Sequence, residues 1–230
     1  TDHFDKDNMS WGLEDIFDPE AYFQAMIPLR EKYRGRIDVR IGVELGMQPH
    51  LADFYNQFVR RYPFDFVIGS SHVVHGYDPY YKEYFKGREE SACYREYFES
   101  ILENLHAFSE MDVYGHIDYI VRYGPNQNKY YTYERYQDIL DEILRTVIAR
   151  GRGIELNTGG FHYGLGEPNP CRAVIRRYRE LGGEIITIGA DAHGPEKIAY
   201  DFDKAAAILA DCGFKYYTVF QNRKPEFVKL

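Results

Sequence analysis

Cysteine is scarce in this chain. Three occur in 230 residues, Cys93, Cys171 and Cys212, and no two of them form a Cys-x-x-Cys pair. That argues against a disulfide framework or a thiolate zinc site, and an odd, widely spaced set reads as reduced thiols of a cytoplasmic protein. No apolar run reaches the roughly 18 residues that a membrane helix needs, so no membrane partner is expected. No signal-peptide pattern is visible. Positive charge is not in excess either: 28 Lys and Arg face 36 Asp and Glu, for a net charge of -8. Nucleic acid is bound chiefly by clustered Lys and Arg, so it is not an expected partner. Internal repeats and low-complexity tracts are absent.

What remains is ample for a core. Hydrophobic residues make up 44% of the chain, with 22 Tyr and 15 Phe among the aromatics. The aromatic wealth is read as packing. The length suits one domain spanning 1–230.

The pattern alternates strand and helix. Asp18 is an expected N-cap with Pro19 just inside a helix that Pro28 could kink. Residues 37–43 alternate and are β-branched, which predicts a strand. Helical spacing follows over 51–61, 94–109, 133–150, 172–181 and 204–210, the 172–181 helix closing on Gly182-Gly183. Short strands are expected at 64–69, 112–115, 153–157, 184–189 and 215–220. Residues 76–92 read as an excursion or lid. Such alternation implies parallel strands with right-handed crossovers, closed as a barrel or open as a doubly wound sheet.

Metal-capable side chains tip the balance to the barrel. His3, Glu44, His72, His116, Asp191 and His193 all fall where an expected strand meets its following loop. Strand carboxyl ends converge in a parallel barrel, so these six point to a multi-metal hydrolase. Mixed imidazole and carboxylate ligands suit Zn, Mn or Fe. His50 and His106 fall on expected helices and read as surface or packing residues. His75 and His162 lie in loops near the expected site and read as substrate contacts or surface residues.

Six short segments then carry a resemblance. Thr1-Asp2-His3, Gly42-Val43-Glu44, Gly69-Ser70-Ser71-His72, Gly115-His116-Ile117-Asp118-Tyr119, Glu155-Leu156-Asn157-Thr158 and Gly189-Ala190-Asp191-Ala192-His193 run in order across nearly the whole chain. Together they resemble the polymerase and histidinol phosphatase (PHP) superfamily, with similarity to its histidinol-phosphate phosphatases. The resemblance implies a distorted (β/α)7 TIM-like barrel with up to three divalent ions at the strand carboxyl ends. Glu44, His72 and His116 are implied to hold one ion, Glu44 bridging to a second that Asp191 shares, and His3 and His193 to belong to the third. The family's opening His-x-His strand has no counterpart in these residues. The first strand and helix are therefore expected to be missing, and the fragment alone to be poorly folded or metal-deficient.

The activity implied is phosphomonoester hydrolysis on a small phosphorylated substrate, histidinol phosphate first. Asp191, His193 and Arg122 are the catalytic candidates, Arg122 as a bidentate phosphate clamp. Ser70, Ser71, Arg122, Asn157 and His162 are the substrate-binding candidates, with Tyr163 beside His162. Asp118 is expected to orient His116. Tyr77, Tyr80, Tyr81 and Tyr123 are expected to rim the mouth. The alternatives are a PHP phosphoesterase of another substrate class, nucleotide or phosphotyrosine, and a catalytically impaired metal-binding domain. An amidohydrolase-like barrel ranks lowest, because no strand-end lysine is seen.

Overall fold

The computed structural model describes residues 1–8 and 17–230. Six parallel strands form one sheet in chain order: β1 (Asp2–Phe4), β2 (Gly42–Gly46), β3 (Phe66–Ser70), β4 (Val113–Tyr114), β5 (Gly153–Asn157) and β6 (Ile186–Gly189). Between them run α1 (Pro19–Tyr33), α2 (Ala52–Arg61), α3 (Glu90–Ala107), α4 (Gln137–Ala149), the single turn α5 (Gly159–His162) and α6 (Arg172–Glu180). The chain ends in α7 (Phe202–Asp211) and an antiparallel hairpin of β7 (Tyr216–Gln221) and β8 (Lys224–Lys229). The sheet curls as the wall of a TIM-like barrel. Among the described residues no strand forms a ladder with the outer edge of β1 or of β6, although Ile186 N of β6 donates to Thr218 Oγ1 of β7 at 3.2 Å.

Both faces of the sheet are covered, which is why β2 and β5 are buried at every position. Alternation then sorts side chains by face. Val43, Leu45, Val67, Tyr114, Ile154 and Leu156 join the helices in the main core. The other set turns to the concave side, where Glu44, Ile68, Glu155, Asn157 and Thr187 line a cavity of about 520 Å³. Helix α3 supplies Tyr97, Phe98, Ile101 and Leu105 to the core, and α4 supplies Leu140, Ile143, Leu144 and Val147. Full burial of one such side chain contributes about 1.5–3 kcal/mol.

The N-cap Asp18 accepts hydrogen bonds from Glu20 N (2.9 Å) and Ala21 N (3.1 Å) as expected. Helix α1 continues past Pro28 to Tyr33. At the far end of α6, Gly182 takes φ +94, the left-handed position that glycine reaches without strain.

Two expectations are corrected. The strand placed over 37–43 starts at Gly42 instead, and Ile37 is exposed. β-Branched content marked the right region, but the ladder with β3, Gly42 opposite Phe66 through Gly46 opposite Ser70, fixes the limits. Glu44 is therefore the middle residue of its strand. The last strand does not continue the parallel sheet either. It folds back through Asn222 and Arg223, both at positive φ (+49 and +64), the conformation of a two-residue primed turn. Arg223 Nε donates to Asp112 Oδ2 at 2.6 Å, and Asn222 N to Asp65 Oδ1 at 3.1 Å. Phe220 stacks on Phe66 with centroids 5.1 Å apart. The hairpin thus packs under the amino ends of β3 and β4, leaving the carboxyl ends open.

Candidate metal centre and phosphate cavity

Glu44 sits at the middle of the site. Its Oε1 lies 3.0 Å from His116 Nε2 and 3.3 Å from His72 Nε2, and accepts from Ser70 Oγ at 2.7 Å. Its Oε2 lies 3.6 Å from His3 Nε2. These contacts follow from register: His3 stands opposite Glu44 on the neighbouring strand, while His72 and His116 each come two residues after the ends of β3 and β4. Asp5 joins from the other side, with Oδ1 2.6 Å from His72 Nδ1 and Oδ2 3.1 Å from His3 Nδ1. His3 and His72 stack with centroids 5.1 Å apart, and His193 lies 5.5 Å from His3. Asp191 takes φ +53 in the turn after β6, and its backbone oxygen lies 3.0 Å from His193 Nδ1.

Three interlocking donor groups result: Glu44, His72 and His116; His3, Asp5 and His72; His3, Asp191 and His193. All six expected ligands are brought together. Asp191 joins His3 and His193, whereas the resemblance set it with a different ion. Asp5 was missed, although its signal is plain in retrospect: it follows His3 by two, the spacing that shares a strand face.

The donors fit divalent cations. His72 Nε2 and His116 Nε2 stand 3.4 Å apart, both facing one carboxylate oxygen. His116 Nδ1 is buried with no hydrogen-bond partner among the described residues. A neutral imidazole carries one N–H, so one tautomer buries an unanswered Nδ1–H and turns a lone pair on the Glu44 oxygen. In that tautomer a cation held between Nε2 and the carboxylate takes both lone pairs and relieves their repulsion. The carboxylates are already ionised for it. Burial opposes the charge on Glu44, but His3 and the hydrogen bonds from His116 and His72 hold it well below the usual range. Asp191, likewise disfavoured by burial, is held low by Arg122. Burial works against the charged form of His72 too, yet Asp5 and Glu44 lift it well above the ordinary imidazole value.

Two buried carboxylates behave oppositely. Burial raises Glu155, which accepts from His116 N at 3.1 Å and Asn157 Nδ2 at 3.0 Å. Burial also pushes Asp118 up to about 6. Asp118 does not orient the His116 ring as expected. Its carboxylate turns to Asn169 Nδ2 (2.5 Å) and Cys171 N (2.9 Å), because the chain winds into a 3₁₀ turn right after it.

Arg122 is buried and fully directed. Nη1 donates to Asp191 Oδ2 at 2.5 Å, Nη2 to Asn157 Oδ1 at 2.9 Å and Nε to Asn169 Oδ1 at 2.8 Å. Asn169 was not anticipated, and a Gly/Pro-rich loop gives no periodic signal that would single it out. The guanidinium lies against the rings of Tyr119 (5.4 Å) and Tyr163 (4.9 Å).

Arg122, His3, His72, His116, Asp191 and His193 all face one cavity of about 260 Å³. Its rim carries His162, Lys197, Tyr80, Tyr123, Tyr163 and Tyr200. Of the tyrosines expected at the mouth, Tyr80 and Tyr123 are there, while Tyr77 and Tyr81 are not part of the lining. Ser71 faces the core, bonded to Tyr114 OH (2.7 Å) and Asn104 Nδ2 (2.8 Å), and Ser70 is spent on Glu44. Neither serine lines the cavity, because both are fully buried between strand and helix. His75 pairs with Glu96 and Glu103 on the outer surface, away from the site. His50 and His106 are exposed, as expected.

Comparison with known proteins agrees with this geometry. Residues 1–159 match the PHP domain. The chain is 33% identical over 94% of its length to the "Probable histidinol-phosphatase" of Clostridium acetobutylicum, covering 82% of that protein. It is 29% identical over 93% of its length to the histidinol-phosphatase of Lactococcus lactis subsp. lactis, covering 79% of it. The crystal structure of histidinol phosphate phosphatase from the latter organism, complexed with zinc, L-histidinol and phosphate, superposes with a TM-score of 0.85 at 28% identity, over 97% of this chain and 84% of that one. The sheet, the clustered imidazoles and carboxylates at its carboxyl edge, and these matches have one reading: the chain belongs to the PHP domain family.

Proposed function

We propose that this chain is a metal-dependent phosphomonoesterase whose substrate is histidinol phosphate. One observation carries the reading: three interlocking donor groups form the floor of a cavity into which a buried arginine also faces. His3, Glu44, His72, His116, Asp191 and His193, joined by Asp5, are the residues for up to three ions of Zn, Mn or Fe. Such ions supply Lewis-acid activation of water and neutralise charge on the phosphoryl group. Arg122, held by Asp191, Asn157 and Asn169, presents its planar guanidinium at a fixed angle, the orientation a phosphate clamp needs. Asn157 acts through Arg122. His162 and the tyrosine rim bound the organic end of the substrate.

The 260 Å³ cavity suits a small phosphate ester better than a polymer chain. No helix of the described residues is long and apolar enough to cross a membrane. The cytoplasmic assignment rests on the three unpaired cysteines.

The test is phosphate release by zinc-loaded protein from histidinol phosphate, a nucleoside monophosphate and phosphotyrosine. Histidinol phosphate is expected to give the highest kcat/KM, and a chelator to abolish turnover until metal is restored. Preference for another ester would move the assignment elsewhere in the family. Full metal content without hydrolysis of any ester would favour an impaired metal-binding domain.

A further inference from the structure

We propose that Lys197 is a phosphate-binding residue of this site, acting beside Arg122; the inference rests on the phosphatase reading above. Lys197 ends a 3₁₀ turn, Pro195–Lys197, four residues after His193. The turn that carries Asp191 and His193 therefore also brings Lys197 to the cavity wall. Arg122 and Lys197 are the arginine and lysine that line that cavity among the described residues. Asp191 answers the charge of Arg122 at 2.5 Å. Lys197 has no carboxylate partner among the described residues, and its Nζ meets His162 Nε2 at 2.8 Å.

An ammonium has three N–H donors and no acceptor, so one N–H goes to His162 and two remain for an incoming ligand. His162 Nε2 must then be the acceptor, and both residues line the cavity. A phosphate monoester carries close to two negative charges near neutral pH. Arg122, already balanced by Asp191, supplies orientation more than net charge. Lys197 supplies a positive charge that no carboxylate of the described residues balances. A compact ammonium suits this, since it serves a phosphate as a point charge and does not need the planar fork.

The experiment is calorimetric titration of zinc-loaded protein with inorganic phosphate, alongside turnover of histidinol phosphate. Lys197→Met is expected to raise the phosphate Kd about tenfold, with Lys197→Gln close to it and Lys197→Arg nearly as tight as the parent. Lys204→Met serves as the control and is expected to change nothing, because Lys204 pairs with Asp201 and does not line the cavity. Parental phosphate affinity in both Lys197→Met and Lys197→Gln overturns the proposal, as does a parent protein that binds no phosphate. The two readings separate cleanly. Turnover with unchanged phosphate affinity in the variants removes Lys197 and leaves the phosphatase. Weakened phosphate binding without turnover of any ester leaves an anion site and removes the phosphatase.

Discussion

Glu44 combines burial with four close partners, so its loss is expected to be severe. Glu44→Gln keeps the volume and removes the charge that faces His3, His72 and His116. We expect that variant to lose bound zinc and more than about 100-fold in kcat/KM, since even residues that merely support metal ligands cost 10–100-fold. Elemental analysis beside kinetics checks it, and parental zinc content would refute the role. Asn169→Ala is a subtler case. It frees Arg122 Nε and removes the Asn169 amide that donates to Asp118 Oδ1. A buried polar group stripped of its partner costs about 1–3 kcal/mol. We expect KM for the phosphate ester to rise about tenfold with kcat changed less, and Asn169→Asp not to rescue it, because it sets a second carboxylate against Asp118. At this scale the sequence was informative wherever a metal-capable side chain follows a strand: His72, His116, Asp191 and His193 were legible from glycine-flanked strand ends. Asn169 and Lys197 were not, since each reaches the site from an irregular loop that carries no period.

The elements explain why the donors meet. Close approach at the strand ends requires glycine in two places. A Cβ on Gly46 would lie within 1.9 Å of Asp5 Oδ1, and one on Gly189 within 1.9 Å of Glu155 Oε1. These glycines leave room for carboxylates on the concave side of the sheet. Helix α4 was legible from its apolar stripe, and the structure adds how it is tied to α6. Asp141 accepts from Arg177 Nη2 at 2.7 Å and from Tyr133 OH at 2.7 Å. The Arg177 hydrogen bond holds the Asp141 carboxyl below its ordinary value against mild burial. A lowered folded-state pKa stabilises above the unfolded value of about 4 and loses that contribution as pH falls through the folded one. Asp141→Asn should therefore lower the thermal midpoint at pH 7, and the gap from the parent should close below about pH 4. A gap independent of pH would mean that packing, not charge, makes the link. The hairpin β7–β8 was only half legible: its first strand was expected, but its reversal depends on Asn222 and Arg223 adopting positive φ against Asp65 and Asp112. Contacts 111 or more residues apart leave no local trace.

For the whole molecule the cost of the site is concentrated in one place. Glu44, Asp5, Glu155 and Asp191 all stand around the concave end of a sheet whose outer edges carry no further strand ladder among the described residues. Cations that bind the folded arrangement alone stabilise it by mass action, about 2.7 kcal/mol at a hundredfold excess over Kd. For a chain of this size that is a rise in thermal midpoint of roughly 5–10 °C. Melting curves with and without zinc check this, and coincident curves would show the cluster to be stable without metal. The parallel α/β order was legible from alternation. The fate of the last strand was not, because periodicity specifies a strand but not its neighbour.

The seven donors arise from five of the six parallel strands or the turns behind them: His3 from β1 with Asp5 just after it, Glu44 from β2, His72 after β3, His116 after β4, Asp191 and His193 after β6. Sliding any one strand by a single residue would flip its contribution to the opposite face. The same register that sets the fold therefore sets the donor cluster, so that correct pairing of β1, β2, β3, β4 and β6 is a precondition for it.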